Sequence, residues 1–280
     1  MYEFNTPEPV NIRIEFGAGD ITIDARETST THVELTADRE DEASARLVAE
    51  TRIEQRGGDI VVEVPRHSSS FMRRSPSLTL RMVVPAASSL EAKTGSADLR
   101  TAGELSAARV GSGSGDIELD VVTGDAEVKT GSGDVRVEQV EGDVRINTGS
   151  GDVDLRQGGG SVTVSTASGD ARVDSAKGRV QANTASGDVQ LGDVGGDVNV
   201  NTASGDMQIG RVSQGRLKAN SASGDVHVGV AHGTAAWLDV HTVSGSVRSS
   251  LDGGEAPAEG ELSVELRVNT VSGDISITHA

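Results

Sequence analysis

Thr130-Gly131-Ser132-Gly133-Asp134-Val135 recurs 18 residues later as Thr148-Gly149-Ser150-Gly151-Asp152-Val153, and again in Thr184-Ala185-Ser186-Gly187-Asp188-Val189. Ser-Gly-Asp begins at Ser114, Ser132, Ser150, Ser168, Ser186 and Ser204, always 18 residues on. It continues at Ser223 after 19 residues, becomes Ser-Gly-Ser at Ser244 after 21, and returns at Ser272. Backwards, Ser96-Ala97-Asp98 sits 18 residues before Ser114. A second glycine falls 9 residues before the motif glycine, as in Gly124 before Gly133 and Gly178 before Gly187. Each repeat is therefore two half-turns reading roughly Gly-Asp-Val-x-Val.

Val-x-Val alternation is the period-2 signature of a strand with one buried face. Gly-Asp at each junction supplies turn chemistry, because Gly tolerates positive φ and Asp bonds nearby backbone. Two short strands in 18 residues cannot bury their own apolar face, but stacked repeats can. The spacing predicts an all-β fold, a single-chain parallel β-solenoid with 18-residue rungs, about ten of them stacked about 4.8 Å apart. The outward column Glu118, Arg136, Asp154, Arg172 alternates in sign before turning neutral at Gln190 and Gln208 and ending on His227. Adjacent rungs of a parallel stack favour that alternation.

Outside the regular repeats, residues 11–16, 21–24, 32–36, 60–64 and 78–84 alternate like strands, and about 41–50 reads as a short helix. Residues 1–92 are therefore expected to form a less regular N-terminal β region with a capping helix, and 93–280 the regular solenoid. An insertion lies near 246–268, a Gly/Pro/Glu loop over 251–261 with a strand on each side.

Composition closes several functional classes. Of 280 residues 43 are acidic and 25 basic, a net charge of −18. That balance argues against nucleic acid as a partner, since phosphate binding needs clustered Lys and Arg. Aromatic residues make up 2%, too few for a sugar-stacking cleft, and the absence of Cys removes disulfides, thiolate nucleophiles and thiolate metal sites. No stretch approaches the roughly 20 apolar residues of a membrane span. Met1-Tyr2-Glu3-Phe4 lacks the basic and apolar regions of a secretory signal, so the cytoplasm is the default compartment.

Thr130-Gly-Ser-Gly-Asp-Val and its copies, with the Val-x-Val-Pro segment ending at Pro65 and the closing Val271-Ser-Gly-Asp-Ile, resemble a large bacterial family. It is a group of β-strand-repeat proteins of unknown function labelled as candidate adhesins. The resemblance implies a β-helix over nearly the whole chain, and an association with the cell envelope.

Candidate chemistry is sparse. Asp134, Asp152, Asp170, Asp188 and Asp206 form a column of carboxylates that a Ca²⁺ β-roll would use as ligands. Such rolls place one residue between Gly and Asp, whereas here Asp follows Gly directly; capping of turn amides is the expected role. The Thr column (Thr130, Thr148, Thr166, Thr184, Thr202, Thr242, Thr270, with Ser221) is expected inward, bonded to backbone, and not to form an exposed Thr array such as ice-binding solenoids present. Asn147, Asn183, Asn201, Asn220 and Asn269 point outward, with amides able to bond along the stack. His227, His232 and His241 lie close in sequence without the spacing of a zinc site. No catalytic triad order, phosphate loop or zinc-protease helix occurs, and the repeats leave no room for the long loops that wall the cleft of polysaccharide-acting β-helix enzymes. The basic segment 66–74 departs from the acidic background: Arg66, Arg73 and Arg74 flank Phe71 and Met72, the mix of a docking point for a protein partner or an anionic membrane surface.

The expected function is thus a non-catalytic binding or scaffolding solenoid, acting through a protein partner or self-association, with no cofactor. A cation-binding roll, an acidic rod mimicking DNA and a polysaccharide-acting enzyme are the alternatives.

Overall fold

Each repeat folds where its alternation says it should. A computed structural model describes residues 1–65, 76–251 and 262–280, in two compact units, Met1–Val140 and Glu141–Ala280. In the second unit the strands Val144–Thr148, Val162–Ser168, Val180–Ser186 and Val198–Ser204 form one wall, paired parallel at 18-residue offsets. Val153–Gly158, Ala171–Ala176, Val189–Val194 and Met207–Val212 form the other. The columns Val153/Ala171/Val189/Met207 and Ile146/Val164/Ala182/Val200 line the interior, none more than 3% exposed. Removal of that apolar surface from water is what holds one rung on the next.

The C-terminal rungs do not follow chain order. Gly215–Ser223 pairs with Ser263–Ser272, and Ser263–Ser272 pairs with Ala235–Ser244. On the other wall Val226–Val230 pairs with Ile275–His279, which in turn pairs with Val247–Ser249. Residues 263–280 therefore lie between rung 215–230 and rung 235–249, and the strands expected beside the insertion are those of two different rungs.

The first unit has the same parallel walls, with Ile117–Val122 against Val135–Val140 and Ala126–Thr130 against the long strand Ser88–Ser112. Its beginning is less regular. A 16-residue strand, Asn11–Arg26, spans both walls and is flanked by Ser88–Ser112 on one side and by Asp59–Glu63 and Leu78–Pro85 on the other, all parallel. Beyond these the chain turns antiparallel: Thr30–Ala37 pairs with Leu78–Pro85 and with Tyr2–Asn5, and Arg52–Arg56 returns on Asp59–Glu63 through Gly57 and Gly58. The helix Glu42–Glu50 starts where expected: Asp41 Oδ accepts from Ser44 N at 2.7 Å, and the helix buries Leu47 and lies against the Thr30–Ala37 strand. These pieces close the N-terminal edge, leaving Ile60, Val62, Leu80 and Met82 at most 1% exposed.

Candidate functional site

The aspartate column is a ladder of backbone caps. In the second unit each motif carboxylate accepts the amide N–H of the aspartate one rung on: Asp170 N to Asp152, Asp188 N to Asp170, Asp206 N to Asp188 and Asp225 N to Asp206, at 2.8–2.9 Å. The ladder follows space and not sequence at the C-terminal end, from Asp225 to Asp274 N and from Asp274 to Ser246 N, each 2.8 Å. In the first unit Asp98 and Asp116 cap Asp116 N and Asp134 N at 3.0 Å. Asp143 and Asp197 do the same for Ser161 and Arg216 in the alternate half-turn. The backbone amides at Arg216 and Ser246 hold the Asp197 and Asp274 carboxyls below the usual carboxylate range.

The motif glycine has its own cause. A Cβ on Gly205 would lie 2.1 Å from the carbonyl oxygen of Gly187, and on Gly224 2.1 Å from that of Gly205; both glycines sit at positive φ, 149° and 143°. The turns of adjacent rungs nest too closely for a side chain.

Thr130, Thr148, Thr166, Thr184, Thr202 and Ser221 are buried, so they form no exposed array. Thr130 and Thr148 accept from Gly133 N and Gly151 N at 3.1 and 3.0 Å, as the inward assignment requires. Among the described residues Thr184, Thr202 and Ser221 reach no partner. In their turns the amides of Gly187, Gly205 and Gly224 instead bond the serine carbonyl of the next rung at 3.0–3.1 Å. The asparagine amides chain along the stack, Asn201 to Asn183 at 3.0 Å, Asn220 to Asn201 at 2.8 Å and Asn269 to Asn220 at 3.2 Å.

The histidines separate. His227 lies 3.5 Å from Thr278 Oγ1, His232 stacks on His279 at 4.9 Å, and His241 lies 2.9 Å from Asp239. Among the described residues no three His, Asp or Glu side chains are grouped to hold a metal ion. Charged columns pair across rungs, Arg100 with Glu118 at 3.1 Å, Arg109 with Glu127 at 3.0 Å, Arg179 with Asp197 at 3.2 Å and Arg216 with Glu265 at 2.9 Å. A cavity of about 250 Å³ in the first unit is lined by charges that neutralise one another, Arg13 with Asp59 at 3.2 Å and Lys93 with Glu91 at 3.5 Å. It is small beside ordinary ligand pockets. The docking candidates Arg66, Phe71, Met72, Arg73 and Arg74 lie outside the described residues. Sequence reasoning missed the exposed apolar side chains of rung 235–249, Trp237, Leu238, Val243 and Val247. Their signal was the loss of Asp at Ser246, where the cap ladder stops.

Parallel walls with interlocked polar ladders define a β-solenoid repeat protein. The chain belongs to the Toastrack DUF4097 family, which it matches over residues 10–192 and 174–278. It is similar to a solved structure of a candidate lipid-binding protein from Parabacteroides distasonis, at 17% identity, with 99% of this chain and 95% of that one covered and a TM-score of 0.50. A candidate adhesin from Bacteroides fragilis aligns over 99% of this chain and 95% of its own at 11% identity and a TM-score of 0.37. One from Parabacteroides merdae aligns over 99% and 94% at 14% identity and a TM-score of 0.40. No curated protein matches the sequence.

Proposed function

We propose that this protein is a non-catalytic binding or scaffolding module that works by protein–protein contact, in association with the cell envelope. One observation carries the reading: many outward polar side chains of the walls are bonded to one another or to backbone, rung to rung. The asparagine amides bond asparagine, the motif carboxylates bond backbone amides, and arginines bond carboxylates. Catalysis needs acid and base groups converging on a cleft that excludes water, and walls whose side chains satisfy each other offer a surface instead. The outer columns mix signs, Arg100 beside Glu118 and Arg179 beside Asp197, unlike the uniform carboxylate spacing that a DNA mimic needs. No helix among the described residues is long and apolar enough to cross a membrane.

The test is photo-crosslinking in the native cell, with the probe carried on exposed wall positions, followed by fractionation. Crosslinks to a defined protein in the envelope fraction are expected. Turnover of a polysaccharide by the purified chain, or an absence of any crosslinked species, would overturn the reading. Arg73→Glu/Arg74→Glu in the same assay, with anionic vesicles alongside, decides whether the basic segment is the contact.

A further inference from the structure

Among the described residues nothing covers the outer side of rung 235–249 in the C-terminal unit. Ala235–Ser244 pairs on one side with Ser263–Ser272, and Val247–Ser249 on one side with Ile275–His279; among the described residues no strand pairs with their outer edges. The inward columns record the change. Leu217 and Leu266 are 0% exposed, but Leu238 in the same column is 38%; Val226 and Ile275 are at most 1%, but Val247 is 48%. On the outward side Trp237 is 56% exposed, with the Arg267 guanidinium 5.8 Å from its ring centre, and Val243 is 82%. An open strand edge beside uncovered apolar side chains invites another strand, and repeat proteins ordinarily cover it with a polar cap. In the N-terminal unit antiparallel strands and a helix do cover the outer rung.

The exposed strand is chemically self-complementary about Val240. Turned antiparallel against a second copy with Val240 facing Val240, Asp239 faces His241, Trp237 faces Val243 and Leu238 faces Thr242. This one register opposes acid to imidazole and joins the two outward apolar side chains, the pairings that favour neighbouring strands. Charge favours the same occupant. Residues 235–249 carry one acid, Asp239, and one arginine, Arg248, so two copies of a chain with net charge −18 meet here through a rung without net charge. Because the outer rung of the N-terminal unit is covered, the contact is of like with like, which closes as a two-fold dimer and not a filament.

We propose that rung 235–249 is a self-association surface at which two copies of this chain pair antiparallel through Ala235–Ser244, centred on Val240. This rests on the reading of the chain as a binding or scaffolding module and names one partner, a second copy. The test is sedimentation equilibrium of the full chain over a concentration series. A reversible dimer is expected for the wild type, and Val243→Arg, at an exposed position that leaves the core intact, should weaken it by at least about tenfold. Asp239→Arg should weaken it, and Asp239→Arg with His241→Glu should restore it. As the protein has no Cys, Val240→Cys gives a clean register probe: mild oxidation should crosslink this variant to itself, whereas Val243→Cys should not crosslink. A wild type that stays monomeric to about 1 mM, a dimer indifferent to Val243→Arg, or a Val240→Cys variant that never crosslinks would each overturn the proposal. A monomeric chain that still yields a defined envelope crosslink would sink self-pairing alone and leave the binding reading standing.

Discussion

At the residue scale the repeat is explained by one hydrogen bond and one missing side chain. Asp188 accepts Asp206 N and donates its own amide to Asp170. Asp188→Asn keeps an acceptor oxygen and relieves repulsion along the column, so its melting temperature should match wild type. Asp188→Ala removes the acceptor and should lower the melting temperature by about 2–4 °C. Gly205→Ala drives a methyl group into the Gly187 carbonyl at a backbone angle that alanine avoids, and should cost about 2–4 kcal/mol in denaturant titrations. The same caps set the response to acid. Asp197 and Asp274 are held below their ordinary range by backbone amides. Their folded pKa lies below the unfolded one, so their contribution is complete above about pH 4 and is lost as pH falls through the lowered values. Melting temperature should hold from neutrality down to about pH 4 and decline below it, and Asp197→Asn should shrink that decline.

At the scale of strands and rungs, burial decides. Val153 is 1% exposed in a column continued by Ala171, Val189 and Met207. Val153→Asp would bury a charge with no partner there and should cost about 4 kcal/mol, read as a loss of cooperative unfolding or a large fall in midpoint by circular dichroism. This wall was legible in the sequence, because an 18-residue step with period-2 alternation fixes both the register and the inward face. The asparagine chain was legible for the same reason. Strand direction in the first unit was not. Residues 32–36 alternate like any other strand, and alternation is identical for parallel and antiparallel pairing; the antiparallel return of Thr30–Ala37 on Leu78–Pro85 depends on a distant partner. The Arg52–Arg56 strand escaped notice because Arg-Ile-Glu-Gln-Arg carries a single apolar side chain, and it pairs as an edge, where charge is an asset. The inward Thr column was also legible. Which hydroxyls keep a bond was not, since that turns on the amide direction of Gly187, Gly205 and Gly224.

For the molecule as a whole, the prediction concerns bound cations. Excess chelator should shift the melting temperature by less than about 2 °C, because backbone amides already satisfy the carboxylates that would otherwise gather Ca²⁺. A large fall reversed by Ca²⁺ alone would show instead that the column is a roll of metal sites. Two candidate contact surfaces differ in how the sequence displays them. The basic segment 66–74 stands out by composition, but rung 235–249 becomes visible only through its neighbours, since Trp237-Leu238-Asp239-Val240 reads like any half-buried strand until its outer edge is found unpaired.

The placement of residues 263–280 inside residues 235–249 also dictates an order of events during synthesis. The inner rung leaves the ribosome after the outer one, so the stack cannot be laid down as a single vectorial wave. Either rung 215–230 waits bare, or residues 235–249 settle on it first and must be displaced. The cap from Asp225 to Asp274 closes a separation of 49 residues, against 18 in the regular repeats, and longer closures are slower to find. Completion of the C-terminal end is therefore the late step in the assembly of this chain. Until it is done, the nascent protein exposes the greasy cross-section that chaperones recognise and that neighbouring nascent copies can invade.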